Sequence, residues 1–192
     1  MKRSLIGASA ALAGLAASGM AAAHPGHEHG GGLVEGLSHP LLGTDHVLAM
    51  LAVGAWAWQL GGRARWAVPL SFVSLMAASA AAGAAGLALP MVESGIAASL
   101  LVLGLLIACA VRVAPAAGAA IVAVFAVFHG HAHGTEMPGF AHAWQYGAGF
   151  LLSTVALHGA GLLLGKRIGA HTLWLRATGA AIGLCGAWML AA

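Results

Sequence analysis

The sequence predicts an all-α integral membrane protein, a compact six-helix transmembrane bundle that follows an N-terminal signal peptide. Of its 192 residues, 60% are hydrophobic and only 7% are charged, and the mean hydropathy is +0.91. Soluble domains carry about 25% charged residues, so this composition excludes a soluble enzyme, a disordered tail and a nucleic-acid-binding protein. The eight Lys and Arg residues are scattered, and the two cysteines lie in separate apolar runs. The sequence therefore contains neither a basic patch nor a disulfide framework.

The N-terminal segment, residues 1–23, has the organisation of a secretory signal peptide. Lys2 and Arg3 precede an apolar run that ends near Met20, and the following Ala21-Ala22-Ala23 supplies an Ala-x-Ala cleavage site. The alternative is an uncleaved first transmembrane helix, but an apolar run of this kind is shorter than most spanning helices. We therefore expect residues 1–23 to be removed from the mature chain.

Cleavage would leave residues 24–38 as a histidine-rich N-terminal segment in the periplasm. This segment is polar, and an ordinary flexible leader is the alternative interpretation. Imidazoles, a carboxylate and a free α-amine close together are typical of a loose metal-collecting tail. Its additional candidate metal ligands are His24, His27 and His29.

Six apolar stretches follow, each long enough to cross about 30 Å of hydrocarbon. We predict a transmembrane domain over residues 39–192 with spans at 39–60, 66–89, 94–113, 115–134, 141–164 and 172–191. Glycine, proline or charged residues interrupt the apolar pattern between them, as is typical of turns. The spans are rich in Gly and Ala, which let helix backbones approach closely in lipid, so a compact bundle is expected.

Alternate loops carry the cations, and this pattern predicts the orientation in the membrane. The loops after the first, third and fifth spans contain Arg63, Arg65, Arg112, Lys166 and Arg167, whereas the other two loops contain none. Because cationic loops stay in the cytoplasm, the chain is predicted to lie in the bacterial inner membrane with both mature termini in the periplasm.

The first span begins with a dense group of ionisable residues, His39-Pro40-Leu41-Leu42-Gly43-Thr44-Asp45-His46. On one continuous helix, His39 and His46 lie about two turns apart on the same face, with Asp45 beside His46. Pro40 suits the first turn of such a helix, where its missing N–H has no cost. Ionisable residues inside a membrane span are costly and by default mark a substrate path.

The fourth span ends with a second group, Phe128-His129-Gly130-His131-Ala132-His133-Gly134-Thr135-Glu136. His129 and His133 are separated by one helical turn, and Glu136 follows on the same face, whereas His131 points elsewhere. Two imidazoles and a carboxylate in this arrangement can hold one divalent cation.

The two groups are expected to meet in the outer half of the membrane. The first span runs inward and the fourth runs outward, each with a rise of about 1.5 Å per residue. This places His39 at the depth of His133 and Glu136, and places His46 at the depth of His129.

Two further histidines lie on the fifth span. His142, at its outer end, is close to the level of the two motifs and can join the site. His158 is roughly 24 Å deeper, at about 1.5 Å per residue. It is either a ligand at an inner gate or a hydrogen-bond partner between helices, and both interpretations stay open.

At these residues the sequence resembles the HupE/UreJ family of nickel and cobalt permeases, which accompany hydrogenase and urease. The matching motifs are His-Pro-x-x-Gly-x-Asp-His at 39–46 and Phe-His-Gly-x-Ala-His-Gly-x-Glu at 128–136, and the resemblance extends over 24–192. It implies a chain without a permanently bound cofactor, whose partners are membrane lipid and a transported Ni²⁺ or Co²⁺ ion. The metal-motif residues that it implies are His39, Asp45, His46, His129, His133 and Glu136.

Three classes of function fit these residues. The leading hypothesis is a secondary transporter that takes up Ni²⁺ or Co²⁺ without ATP, since the sequence contains no Walker A motif. The alternative is an intramembrane zinc-dependent hydrolase, in which the same cluster activates water and Glu136 or Asp45 acts as the base. A metal sensor or accessory subunit is the third class.

Overall fold

The computed structural model describes residues 32–137, 142–169 and 172–192, and within these ranges the regular structure is entirely helical. The helices are α1 (Leu33–Leu42), α2 (Thr44–Leu60), α3 (Ala64–Ala84), α4 (Val92–Ala108), α5 (Pro115–Thr135), α6 (Ala143–Ile168) and α7 (Thr172–Ala191). The prediction of an all-α chain is confirmed for the described residues. The predicted signal peptide and the histidines His24, His27 and His29 lie outside them.

The lengths of the helices are those of a membrane protein. Four of them, α3, α5, α6 and α7, are long and apolar enough to cross a bilayer. Taken together, α1 and α2 are also long and apolar enough to cross a bilayer, but the pair is bent by 86° at the break between the two helices. The apolar helix α4 has 17 residues. At 1.5 Å per residue it covers about 26 Å, slightly less than the hydrocarbon thickness of about 30 Å.

The first predicted span is not one helix. The helix α1 starts at Leu33, ahead of the predicted start at residue 39, and ends before Gly43, whose backbone is extended with φ −89° and ψ 114°. The prediction of a continuous helix with Pro40 in its first turn is therefore wrong, because Pro40 lies in the last turn of α1. A proline there provides no N–H for the preceding turn and its ring crowds the carbonyl four residues earlier, which favours a break.

The other five predicted spans start within two residues and end within five residues of α3 to α7. The largest differences are at the ends of α3 and α4, where apolar sequence continues past the helix. Gly86, with φ 80°, and Ala110, with φ 52°, reverse the chain there. In each case the next amide donates back across the turn, from Leu87 to Ala82 and from Val111 to Leu106, as in a Schellman motif.

The helix α2 occupies the centre of the bundle. It packs mainly against α6, and also against α3 and α4, while α3 pairs with α5, α4 pairs with α7, and α1 packs against α6. One of its two tryptophans, Trp56, is fully buried, and its indole N–H donates to the carbonyl of Val111 at 3.2 Å. The candidate residues Asp45 and His46 therefore stand in the first turn of the most enclosed helix.

Glycines allow the helix backbones to touch. A Cβ atom added to Gly161 of α6 would collide with the backbone carbonyl of Leu51 in α2. On α5, Gly130 and Gly134 lie equally close to backbone carbonyls of α3. Small residues at such crossings are the usual means of close helix packing in membranes. The glycines of the second histidine motif thus hold α5 against α3.

We predict that Gly161→Ala destabilises the protein, whereas Gly159→Ala, two residues earlier on the same helix, does not. A methyl group at 161 has to push α6 away from α2, and overpacking of this kind costs about 1–3 kcal/mol. A Cβ at 159 meets no atom within 4 Å. The measurement is thermal unfolding of both purified variants in the same detergent. Equal melting temperatures for the two variants would show that the α2–α6 contact is looser than described.

Candidate functional site

All six residues of the two motifs come together at one end of the bundle. The outermost contact joins the end of α1 to the end of α5, where His39 Nε2 lies 2.8 Å from Glu136 Oε2. The side chains are partly open to the surroundings, with 29% of His39 and 55% of Glu136 exposed. The hydrogen bond with His39 lowers the pKa of the Glu136 carboxyl. This pair therefore presents a carboxylate and an imidazole at the accessible side of the site.

Below this pair, four imidazole rings from α1, α2 and α5 are in contact. The centroid of His133 lies 5.1 Å from that of His39 and 4.6 Å from that of His46. The ring of His46 also meets His129, with centroids 4.8 Å apart. Both His129 and His133 are fully buried. His39 thus meets Glu136 and His133, and His46 meets His129, which are the neighbours that the two motifs predict; His46 additionally touches His133.

The break in the first span explains how His39 and His46 reach the same partner. The prediction that they share one face of a continuous helix is wrong, because they lie on opposite sides of Gly43. The 86° bend there turns α1 across the end of α2, so that His39 and His46 approach His133 from two directions.

Asp45 determines which nitrogen of His46 is available. One of its carboxylate oxygens, Oδ1, accepts the backbone N–H of His46 at 2.7 Å and lies 3.0 Å from His46 Nδ1. A carboxylate only accepts hydrogen bonds, so Nδ1 carries the proton and Nε2 carries the lone pair. This Nε2 atom is buried and has no hydrogen-bond partner in the ranges that the structure describes. Asp45 therefore orients an imidazole whose free nitrogen faces the cluster's interior.

A serine on α4 determines in the same way which nitrogen of His129 is available. Ser99 of α4 is fully buried, and its Oγ lies 2.6 Å from the carbonyl of Ile96 and 2.9 Å from His129 Nε2. Two hydrogen bonds form only if the hydroxyl donates to Ile96 and accepts from His129 Nε2–H, since a hydroxyl has a single proton. The lone pair of His129 then lies on Nδ1, which is buried without a partner.

Two further buried histidines, His133 at the centre of the cluster and His158 on α6, have no hydrogen-bond partner at either ring nitrogen among the described residues. A buried polar atom without a partner costs about 1–3 kcal/mol. Folded proteins contain few such atoms, and a group of them is typical of a place that receives a polar ligand.

His158 extends the line of rings deeper into the bundle. Phe72 of α3 lies between it and the cluster, with its ring 5.7 Å from His129 and 5.2 Å from His158. The interpretation of His158 as a hydrogen-bond partner between helices is wrong for the described residues, because neither nitrogen forms a hydrogen bond. The interpretation as an inner ligand stays a prediction.

Two other histidines lie apart from the cluster. His131 Nε2 donates to the carbonyl of Leu87 at 2.7 Å, which ties α5 to the turn after α3, so its ring points away from His129 as expected. His142 is exposed at the start of α6 and forms no hydrogen bond with the cluster among the described residues.

The rings do not yet form a coordination shell. Within residues 32–137, 142–169 and 172–192, no three His, Cys, Asp or Glu side chains have a geometry that already suits a metal ion. The rings instead meet edge to face. A single ion requires them to rotate so that their free nitrogens converge.

Sequence reasoning missed three residues of this site: Ser99, Phe72 and Tyr146. The hydroxyl of Tyr146 is buried without a partner, and its ring lies 5.6 Å from that of His39. Ser99 and Phe72 belong to apolar runs outside the two motifs, and nothing local marks them. Tyr146 is the only tyrosine of the chain, which is the one signal that was available.

We predict that Ser99→Ala changes the tautomer of His129. Without the hydroxyl, Nε2–H loses its acceptor, so both tautomers become comparable in free energy and the Nδ1-protonated form appears. The measurement is the ¹⁵N NMR spectrum of histidine-labelled protein. Ser71→Ala is the matched control, since it also removes a hydroxyl-to-carbonyl hydrogen bond, to Ala119 at 3.0 Å, without touching a histidine. An unchanged spectrum in Ser99→Ala would contradict the assignment.

Comparison with known proteins gives two matches over most of the chain. Residues 11–189 match the family model described as HupE / UreJ protein. The chain is 47% identical over 181 residues to Protein HupE of Rhizobium leguminosarum bv. viciae, which covers 93% of this chain and 94% of that protein. No solved structure gives a significant match.

Proposed function

Because the chain belongs to the HupE/UreJ family, we propose that it is a secondary transporter that takes up Ni²⁺ or Co²⁺ from the periplasm into the cytoplasm. The ion would supply nickel enzymes such as hydrogenase or urease. The proposal treats the metal as a substrate that passes through, and the chain holds no permanent cofactor. Family membership also favours transport over the intramembrane zinc hydrolase, which we do not propose.

The observation that carries this proposal is a continuous line of side chains that leads from one end of the bundle into its interior. It runs from the partly exposed His39–Glu136 pair through His133, His46, His129 and Phe72 to His158, each in contact with the next. The buried imidazoles in it have unpartnered nitrogens. Neutral imidazoles together with carboxylates are ligands that suit Ni²⁺ and Co²⁺.

The first step of the proposed mechanism is capture at the accessible end. The carboxylate of Glu136 attracts the hydrated cation, and His39 replaces part of its water. Upstream of this pair, we propose that residues 24–38, with His24, His27 and His29, raise the local metal concentration. His142, exposed at the same end, would act in the same way.

The second step moves the ion onto the buried imidazoles. Asp45 and Ser99 each hold one N–H of a histidine, which leaves the lone pairs of His46 Nε2 and His129 Nδ1 for the metal. Hydrogen bonds of this kind orient the ring and raise its basicity as a ligand. His133, free at both nitrogens, can turn between the outer pair and the inner rings.

The third step takes the ion past Phe72 to His158. A phenyl ring provides no ligand, so it separates the outer site from the inner one and has to move aside. Transport requires that binding is strong enough to admit the ion and weak enough to release it, and several sites in series satisfy both conditions. His158 provides such a second position, with both ring nitrogens free.

For the membrane arrangement we propose a cleaved signal peptide at 1–23, six spans in the inner membrane, and both mature termini in the periplasm. The broken pair α1–α2 and the short α4 would each count as a span. Two observations support this orientation: the cationic loops fall at one end of the bundle, and the capture pair lies at the other.

We predict that His129→Ala and His46→Ala lower metal uptake by about tenfold or more, whereas His131→Ala has little effect. All three are histidine-to-alanine changes in or beside one cluster, but the ring of His131 binds Leu87 and not the other imidazoles. The measurement is uptake of radioactive nickel by cells over a range of metal concentrations, with membrane levels of each variant checked.

Two outcomes would contradict the proposal. If cells with the wild-type chain take up no more nickel or cobalt than cells without it, the chain is not a transporter for these ions. If His131→Ala is as damaging as His129→Ala at equal membrane levels, the line of rings is not the path.

A separate prediction concerns topology. A reporter fused after Ala192 is expected to be active in the periplasm, and one inserted at Gly62 is expected to be active in the cytoplasm. Gly62 tolerates an insertion because it lies in a turn with no other atom within 4 Å of a Cβ position. The opposite pattern would invert the proposed direction of the path.

A further inference from the structure

A polar cavity lies at the end of the bundle opposite to the histidine cluster. Its volume is about 290 Å³, and it opens between the end of α2, the end of α4 and the start of α7. It is lined by Trp58, Gln59, Gly61, Arg65, Ala110, Arg112, Gly169, Thr172, Leu175 and Arg176. The line of rings described above does not use any of these residues.

The cavity carries positive charge without compensation. Three arginines line it, and among the described residues no carboxylate does. The acidic residues of the described ranges lie at the ends of helices on the other side of the bundle: Glu35, Asp45, Glu93 and Glu136. A cluster of guanidinium groups with no acidic partner attracts an anion.

Two of the three arginines at the cavity are held in place. The guanidinium of Arg65 stacks over the ring of Trp58, 3.8 Å from its centroid. Arg176 Nε donates to the carbonyl of Ala108 at 2.6 Å, which leaves its terminal nitrogens free. Fixed guanidinium groups recognise phosphate because two parallel N–H donors match two of its oxygens.

Two buried atoms at this cavity have no hydrogen-bond partner within the described part of the chain: one is a donor and the other is an acceptor. Arg65 Nε is a donor, and Gln59 Oε1 is an acceptor. A ligand that satisfies both has a negatively charged oxygen and, beside it, a hydroxyl group. The apolar faces of Trp58 and Leu175 complete the lining, which favours a ligand that also brings apolar surface.

We propose that this cavity binds a phosphate group with a neighbouring hydroxyl, as in the phosphoglycerol head group of an anionic lipid in the adjacent leaflet. Free hydrogenphosphate has the same polar chemistry, but it does not use the apolar lining. Basic cavities between transmembrane helices on the cytoplasmic side are a known setting for anionic head groups. The site is independent of the proposed metal path, because it shares no residue with it.

The experiment measures lipid retention by the purified full-length chain in a neutral detergent, by native mass spectrometry. The probes are phosphatidylglycerol, phosphatidylcholine and inorganic phosphate. We expect phosphatidylglycerol to be retained in preference to phosphatidylcholine. Arg65→Gln and Arg176→Gln are each expected to weaken its retention by about fivefold, the effect of one cation near a head group.

Arg63→Gln is the matched control, because this substitution removes the same charge two residues away from Arg65. Arg63 does not line the cavity. Arg65→Lys keeps the charge but loses the planar pair of donors, so its retention is expected to lie below the wild type. Thermal unfolding of each variant in the absence of lipid separates loss of binding from loss of folding.

The outcomes distinguish the sources of the phosphate. Retention of phosphatidylglycerol that Arg65→Gln weakens and Arg63→Gln does not supports a lipid site. Binding of inorganic phosphate with the same dependence on Arg65, but no preference between the lipids, supports the cavity and assigns it to the free anion. Equal retention of both lipids without a phosphate effect, or equal losses in Arg63→Gln and Arg65→Gln, would overturn the proposal.

Discussion

Where α6 crosses α2, Gly161 lies against the backbone of Leu51 with no room for a side chain, and Gly130 and Gly134 make the same kind of contact between α5 and α3. The hydrophobic effect does not drive helices together in lipid, so close packing and internal hydrogen bonds have to hold them. The two cluster imidazoles of α5 directly precede these two glycines in the sequence, His129 before Gly130 and His133 before Gly134. The contact that stabilises the bundle therefore also decides how near those rings come to α2.

The histidine cluster combines ring nitrogens that are held by hydrogen bonds with ring nitrogens that have no partner among the described residues. Asp45, Ser99 and Glu136 each hold one ring nitrogen, and they come from a helix start, a helix interior and a helix end. Their partners keep one orientation, while His133 is held only by packing against rings, including Phe150 at 5.0 Å. A closed structural metal site fixes all of its ligands, and this cluster does not.

Much of the fold was predictable because the bilayer imposes a length and a polarity on each helix. Apolar stretches placed α3 to α7 to within a few residues at either end. The break at Gly43 was not predictable in this way, because residues 39–60 satisfy the same hydropathy test whether straight or bent. The early ends of α3 and α4 depend on the left-handed backbone of Gly86 and Ala110, to which hydropathy is insensitive.

By itself the sequence determined the residue types of the site, since histidine and carboxylate inside apolar stretches are too costly to be incidental. It also predicted, through the rise per residue, which residues of the two motifs meet, although the continuous first span on which that reasoning depended is broken at Gly43. Only the tertiary structure decided the bend that turns His39 toward His133. It also decided that Ser99 and Phe72, from other helices, contact His129. The reason is physical: a hydrogen bond or ring contact between helices depends on their distance and rotation, and local sequence encodes neither.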